Sequence, residues 1–200
     1  MTTKNEVVLE GMALSEPEWS HENHGMQFYR VYLQVPRLSG QVDLLPLLLP
    51  GGLAAQAAAD RVLRVRGQLR SFNNRSGVGS RLVLTVYAQD LQPGEDEPCN
   101  QITLCGALCK PPVFRRTPLG RSICDLMLAV PRRYGRADYL PVIAWGQLAV
   151  KASRLQVGDP LALEGRVQSR TYHKALESGE VEERTAYEVS MMRLLDPEDE

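Results

Sequence analysis

The sequence predicts an all-β fold in which two five-stranded barrels follow each other, each with one short helix. Two observations predict it: an internal repeat, and the alternation of apolar with polar residues in both copies. NEVVLEGMALSEP at residues 5–17 aligns with NQITLCGALCKPP at residues 100–112, a shift of 95, and Val-Pro-Arg at 35–37 meets Val-Pro-Arg at 130–132. The register holds over about fifty residues. Chance rarely produces this, so the chain is two copies of one unit.

The second copy carries the clearer strand pattern. Ile102, Leu104, Gly106 and Leu108 alternate with Thr, Cys and Ala, which predicts a strand with one buried face. The later elements follow in order: strand Ile123–Val130, strand Tyr139–Trp145, helix Gly146–Leu155, a strand with Leu161, Leu163, Gly165 and Val167 facing inward, and strand Tyr187–Leu194. Three strands, a helix and two strands form the layout of an OB-fold barrel. The first copy repeats this plan, with Ala-rich Leu53–Ala59 as its helix.

Charge divides the chain into four segments. We expect a first OB-fold domain at residues 1–92, an acidic linker at 93–98, a second OB-fold domain at 99–195 and a short acidic tail at 196–200. These segments carry formal charges of +1, −3, +5 and −4 in that order, although the whole chain carries −1. A basic domain between two acidic segments favours an anionic partner.

The composition argues against several classes of protein. The longest apolar run, Leu44–Leu49, is far shorter than the roughly 18 to 20 residues of a membrane helix, so no membrane contact is expected. The N-terminus lacks the apolar core of a secretory signal, which indicates a cytoplasmic protein. Four cysteines without a Cys-x-x-Cys pair and three scattered histidines predict neither a metal nor a cofactor. The sequence offers no acid, base and nucleophile that would come together in one active site, so an enzyme is not expected.

One outer face of the second domain combines aromatic rings with arginines. Alternation on the fourth strand turns five side chains outward: Glu164, Arg166, Gln168, Arg170 and Tyr172. Tyr139 and Trp145 lie an even number of residues apart on the third strand and point away from its buried face. Tyr134 lies within Arg-Arg-Tyr-Gly-Arg at 132–136. Such surfaces suit single-stranded nucleic acid, because bases stack on rings while cations follow phosphates. A loop or subunit contact over Tyr139 and Trp145 is the alternative.

Three motifs of the second copy resemble the bacterial single-stranded DNA-binding protein family. NQITLCGALCKPPVFRRTPLGRSICDLMLAV is similar to its opening strands, VIAWGQLA to its step into the helix, and LALEGRVQSRTY to its strand that ends in an aromatic residue. The resemblance covers about residues 100–195. It implies stacking of DNA bases on the four rings already singled out: Tyr134, Tyr139, Trp145 and Tyr172. Phosphates would then meet the basic side chains Arg115, Arg116, Arg121, Arg132, Arg133, Arg136, Arg166, Arg170 and Lys174.

The first copy departs from this pattern. Ser39, Leu44 and Pro50 stand where the second copy has Tyr134, Tyr139 and Trp145, and Asn74 stands near the match to Tyr172. Its fourth strand still turns four side chains outward that suit phosphate contacts: Arg64, Arg66, Arg70 and Phe72. We therefore expect a mainly architectural first domain with a weak electrostatic contribution to DNA binding.

Two functional hypotheses follow. The first is a protein that coats single-stranded DNA without sequence preference and protects it during replication, recombination or repair, associated with the nucleoid. The alternative is a replication accessory whose OB domains hold protein partners and bind DNA weakly, which the ring-poor first copy favours. The resemblance implies four OB domains per assembly, hence a homodimer, with Trp19 and Leu44–Leu49 as candidate contacts unless they belong to the core. Recruitment of proteins through the tail is doubtful, because the tail is short and lacks the family's terminal aromatic residue.

Overall fold

The computed structural model describes residues 4–74, 81–95, 97–176 and 178–195. In chain order its elements are β1 (Lys4–Ala13), β2 (Glu18–Asn23), β3 (Met26–Pro36), β4 (Val42–Pro50), α1 (Gly51–Ala54), β5 (Val62–Asn73), β6 (Leu82–Pro93), β7 (Cys99–Leu108), β8 (Val113–Arg116), β9 (Ser122–Pro131), a 3-10 turn (Arg133–Gly135), β10 (Ala137–Trp145), α2 (Gln147–Ala152), β11 (Pro160–Ala175) and β12 (Val181–Leu194). The predicted acidic tail and residue 96 of the predicted linker lie outside the described residues.

The strands form two closed barrels with the same connectivity. Their order in the sheet is β2-β3-β4-β6-β5-β1-β7-β11-β12-β10-β9-β8, and the additional pairings of β3 with β1 and of β7 with β9 close each half on itself. The prediction of an all-β chain with tandem barrels and one short helix per barrel is confirmed. The domain boundaries at 92 and 98 stay a prediction.

Two strands and the helix limits differ from the sequence-based expectation. β2 and β8 are edge strands that pair with β3 and β9, and almost all their residues are exposed, so no apolar alternation marked them. The helix α2 begins one residue later than predicted because Gly146 has a φ of 58°, outside the helical region. Its counterpart α1 ends at Ala54 and spans four residues.

The two barrels join through their first strands. β1 and β7 are antiparallel, and Val7 lies opposite Ile102, which occupies the same position in the repeat. The junction therefore has a local twofold axis between these two residues. Two equivalent asparagines support it: Asn5 Nδ2 donates to Leu69 O at 2.8 Å, and Asn100 Nδ2 donates to Val167 O at 2.7 Å.

The Leu44–Leu49 run belongs to the core of the first barrel. Leu45, Leu47 and Leu49 are fully buried and Leu48 is nearly so, since β4 lies between β3 and β6. Only Leu44 among these leucines is exposed. The run is thus wrong as a candidate subunit contact, whereas the side chain of Trp19 is 63% exposed on β2.

Gly67 and Gly165, which the repeat aligns, mark a close approach of strands. A Cβ atom at Gly67 would lie 2.1 Å from Tyr87 O, and one at Gly165 would lie 2.4 Å from Ser190 O. In each barrel the pairing register shifts just before this glycine, which is a β-bulge. Bulges bend a strand and redirect its side chains, so each barrel turns at the same point.

Candidate nucleic-acid interface

The outer face of β10 carries two of the predicted rings. Tyr139 is 50% exposed and Trp145 is 40% exposed, whereas Leu140, Val142 and Ala144 between them are buried. The strand alternation of the sequence therefore places both rings in solvent, as expected. Neither a loop nor the other barrel covers them among the described residues.

Tyr134 occupies the tip of a tight loop between β9 and β10. Its backbone has a φ of 62°, and Arg132 N donates to Arg136 O at 2.7 Å across the loop. The ring is 96% exposed. Arg133 and Arg136 on either side of it are also exposed, so this loop presents a ring between two guanidinium groups.

The outer face of β11 is more covered than alternation alone predicted. Gln168 is buried and donates to Glu188 on β12 at 2.9 Å. Tyr172 is half-buried, and the guanidinium carbon of Arg170 lies 5.6 Å from its ring centroid. The neighbouring strand β12 causes this cover, because its own polar side chains pair with those of β11. Tyr172 is thus the least accessible of the four predicted rings.

Part of the predicted DNA-binding residues line one large groove, which we call the Trp145 groove. It has a volume of about 1180 Å³. Its lining includes the indole of Trp145 and the basic side chains Arg115, Arg121, Arg166 and Arg170, together with Arg37 from the first barrel. Arg166 Nε is buried without a hydrogen-bond partner among the described residues. The groove can thus offer cationic donors and an aromatic surface to one ligand, although three of its arginines also pair with carboxylates: Arg37 with Asp43, Arg115 with Asp125, and Arg170 with Glu188.

Other predicted DNA-binding residues line a second hollow, which we call the Tyr134 cleft. It has a volume of about 670 Å³ and is lined by Tyr134 with Arg132, Arg133 and Arg136. The remaining predicted residues line neither hollow: Tyr139, Tyr172, Arg116 and Lys174. The structure therefore divides the predicted surface into two basic hollows with one ring each, and a face of β10 and β11 outside them.

The arginines predicted on the first barrel are paired with carboxylates. Arg64 contacts Glu10 at 3.0 Å and Arg66 contacts Glu6 at 3.0 Å. Arg70 reaches across the junction to Asp138 at 3.0 Å. Phe72 is exposed near the end of β5. These ion pairs offset the positive charge, and the weak electrostatic contribution stays a prediction.

Two buried aspartates at equivalent positions connect the barrels. Asp138 accepts from Ser71 N at 2.9 Å and contacts Arg132 at 3.4 Å, while Asp43 accepts from Ser169 N at 2.8 Å. Asp43 also binds Arg37, and this hydrogen bond raises the pKa of Arg37 above its ordinary value. Each aspartate thus fixes an arginine at the rim of a hollow.

Sequence reasoning missed Arg37 in the Trp145 groove and the exposed ring of Phe114 on β8. The repeat held a signal for Arg37, because it aligns with Arg132 in the predicted phosphate-binding set. Phe114 adjoins Arg115 in sequence, but its strand had no apolar pattern.

Other kinds of site find no support in the described part of the chain. There, no group of three or more His, Cys, Asp and Glu side chains could hold a metal ion. Nor is any helix of that part long and apolar enough to span a membrane.

Comparison with known proteins points to one family. Residues 99–195 match the Single-strand binding protein family. A single-stranded DNA-binding protein of Thermus aquaticus is 42% identical over 81 residues, which cover 38% of this chain and 31% of that protein. Single-stranded DNA-binding protein 1 of Clostridium acetobutylicum is 33% identical over 81 residues, which cover 36% of this chain and 74% of that protein. The matched segment thus spans less than a third of the length of the Thermus relative.

The structural likeness extends over both barrels. The crystal structure of wild-type single-stranded DNA binding protein from Thermus aquaticus superposes with a TM-score of 0.75 at 27% identity, covering 98% of this chain and 94% of that one. The sequence match reported above for the family is confined to the second barrel. The structural likeness therefore includes the first barrel, which lies outside the range matched by the family model.

Proposed function

Since the chain belongs to the single-strand binding protein family, we propose that it coats single-stranded DNA without sequence preference and protects it during replication, recombination or repair. The observation that carries the proposal is the Trp145 groove, where an exposed indole lies among arginines from both barrels. The proposed function is binding and includes no catalytic step.

Two physical contributions account for the binding. Cations attract the phosphates and release condensed counterions, so affinity falls with salt by about 0.7 log units per log unit of salt for each phosphate neutralised. Bases then stack on exposed rings, which contributes roughly 1 to 3 kcal/mol per base. Neither contribution reads the base edges, which accounts for the absence of sequence preference.

The proposed contacts with DNA use the residues expected from the sequence, and the exposure of each side chain in the structure refines them. Bases would stack on Tyr134, Tyr139 and Trp145, and on Tyr172 after a small movement of Arg170 from its ring. Phosphates would meet the basic set Arg115, Arg116, Arg121, Arg132, Arg133, Arg136, Arg166, Arg170 and Lys174. Arg37 joins this set because it lines the same groove as Trp145.

Fluorescence anisotropy with labelled oligo(dT) at low and moderate salt tests the proposal. Trp145→Ala should weaken binding about tenfold or more, the loss of one stacked base. Trp19→Ala is the matched control, because Trp19 is also exposed but lies on β2 of the first barrel. An intact chain that does not bind at low salt would refute DNA coating and favour the alternative of a protein-interaction module.

We further propose a homodimer with four barrels, in which Trp19 remains available for the contact between subunits. Light scattering after size exclusion should give the mass of two chains, and the mass of one chain would contradict this proposal. A protein with this function would associate with the nucleoid, where fluorescence microscopy of a labelled chain should find it.

A further inference from the structure

We propose that the outer edge of β2 in one molecule docks against the outer edge of β8 in a neighbouring molecule bound to the same single-stranded DNA. This inference rests on the proposed function and goes beyond it, because it names the surfaces through which adjacent molecules on DNA contact each other. Coating through such contacts is cooperative, since each bound molecule helps the next one to bind.

β2 and β8 offer equivalent edges, one in each barrel. They are the terminal strands of the sheet and pair with β3 and β9 on one side only. An edge strand leaves backbone groups available to another chain. Each edge also presents an exposed ring, Trp19 on β2 and Phe114 on β8, and the shift of 95 aligns these two positions. A bulge between Trp19 and His21 interrupts the ladder of β2, so side chains make most of the contact.

The two edges carry opposite charges. Residues 15–30, which contain β2, include three glutamates and one arginine, a formal charge of −2. The aligned residues 110–125, which contain β8, include four cations and one aspartate, a formal charge of +3. Two β2 edges or two β8 edges would oppose like charges, whereas β2 against β8 brings opposite charges together. Charge complementarity therefore selects β8 of another molecule as the partner of β2.

The carboxylates of β2 are free to meet a partner. Glu18 and Glu22 lie on the strand itself, are exposed, and form no ion pair among the described residues. Arg30 of β3 lies opposite Glu18 in the ladder, but its guanidinium group donates to Ser20 Oγ at 3.2 Å. The negative charge of this edge is therefore directed to solvent, beside the ring of Trp19.

On β8 the available cation is Arg116. Arg115 is held by Asp125 at 2.8 Å on the neighbouring strand. Arg116 is exposed, forms no ion pair in the part of the chain that the structure describes, and lines neither hollow. DNA in the Trp145 groove therefore leaves Arg116 and the ring of Phe114 accessible to the glutamates and the indole of a neighbour.

A contact between unlike surfaces suits a row of molecules. Each pair joined in this way still has one free β2 edge and one free β8 edge, so the contact continues from molecule to molecule. DNA holds neighbours side by side and raises their effective concentration, so even a weak contact adds to binding. Trp19 then serves this contact, and the homodimer closes through a different surface.

An electrophoretic mobility shift on the shortest oligo(dT) that takes two molecules measures the contact. The ratio of the second binding constant to the first gives the cooperativity factor, and a shorter oligo(dT) that takes one molecule gives the intrinsic affinity. The double variant Glu18→Lys/Glu22→Lys reverses the charge of the β2 edge. Its matched control is Glu95→Lys/Glu97→Lys, because these exposed linker glutamates give the same change in net charge outside both edges.

We expect Glu18→Lys/Glu22→Lys to lower the cooperativity factor about tenfold relative to the control, the effect of two exposed ion pairs turned into repulsions. Trp19→Ala should lower it by a similar factor through the lost ring contact, with no change on the short oligo(dT). Arg116→Glu alone should lower both cooperativity and intrinsic affinity. Added to Glu18→Lys/Glu22→Lys, it should restore cooperativity but not intrinsic affinity.

The outcomes separate this contact from the proposed function. If the intact chain binds without cooperativity, or if the β2 variants match the linker control, the edge contact is wrong and DNA coating stands. If Trp19→Ala halves the mass found by light scattering without DNA, β2 belongs to the homodimer contact and the inference is refuted. If the intact chain does not bind oligo(dT) at all, both are refuted.

Discussion

Replacement of Asp138 by Asn should destabilise the junction between the barrels. The carboxylate of Asp138 is fully buried and holds Ser71 N and Arg70 of the first barrel together with Arg132 of the second. An Asn side chain keeps one oxygen for Ser71 N but turns an N–H donor towards a guanidinium group. The substitution thus removes a charge and replaces an attraction with a repulsion between donors.

The size of the effect follows from the hydrogen bonds lost. A hydrogen bond to a charged group contributes about 1.5 to 3 kcal/mol, and loss of one partner from a buried ion pair costs about 3 to 5 kcal/mol. Since one of the contacts of Asp138 survives in Asn, we expect a loss of about 2 to 4 kcal/mol. For a chain of this size each kcal/mol lowers the Tm by roughly 2 to 4 °C.

Urea unfolding followed by circular dichroism measures this loss. Asp43→Asn serves as an internal replicate, because Asp43 makes the equivalent contacts with Arg37 and Ser169. Asp90→Asn serves as the control, because Asp90 is not fully buried and its side chain bonds only Gln92 among the contacts described. If Asp138→Asn costs no more than Asp90→Asn, the buried aspartates do not hold the barrels together.

Three further predictions concern stability and ionisation. Burial alone would raise the pKa of Glu10, but donation from Glu97 N, Glu95 N and Arg64 outweighs it, so the pKa lies below its ordinary value. A lowered pKa contributes stability that is fully present above about pH 4.3 and is lost as the pH falls through the folded-state pKa. In Glu10→Gln the urea midpoint of unfolding should therefore fall less steeply between pH 7 and pH 3 than in the intact chain. Gly67→Ala should lower the Tm markedly, because its Cβ would lie 2.1 Å from Tyr87 O. Gly52→Ala is the control, since a Cβ at Gly52 meets no atom within 4 Å. Equal Tm shifts for the two variants would contradict the close approach of strands at the bulge. Burial and the neighbouring Tyr32 raise the pKa of Tyr187 to about 12, so ultraviolet titration should find one tyrosine that ionises late, and Tyr187→Phe should remove that step.

The sequence predicted the fold well where one face of an element is buried. The alternation in β7, β9 and β10 located three strands of the second barrel, because burial of one face imposes a period of two. It could not locate β2 or β8, since edge strands exposed on both faces carry no such constraint. Exposure of Tyr139 and Trp145 followed from the same alternation.

The accessibility of Tyr172 and Gln168 could not be predicted in the same way. Alternation shows which way a side chain points relative to its own strand, but not which side chains of the next strand cover it. Glu188 of β12 binds Gln168, and Arg170 lies over the ring of Tyr172. The role of Tyr172 in stacking therefore stays a prediction that the variant Tyr172→Ala would test.

The sequence by itself determined the repeat, the strand period, the basic second half and the rings on its surface, because each is a property of neighbouring residues along the chain. Only the tertiary structure decided that β1 pairs with β7, that Arg70 binds Asp138 across the junction, and that Lys4 and Gln89 face Tyr134. These contacts join residues about 45 to 130 positions apart in sequence. A local pattern cannot encode them, since they depend on how two finished barrels meet.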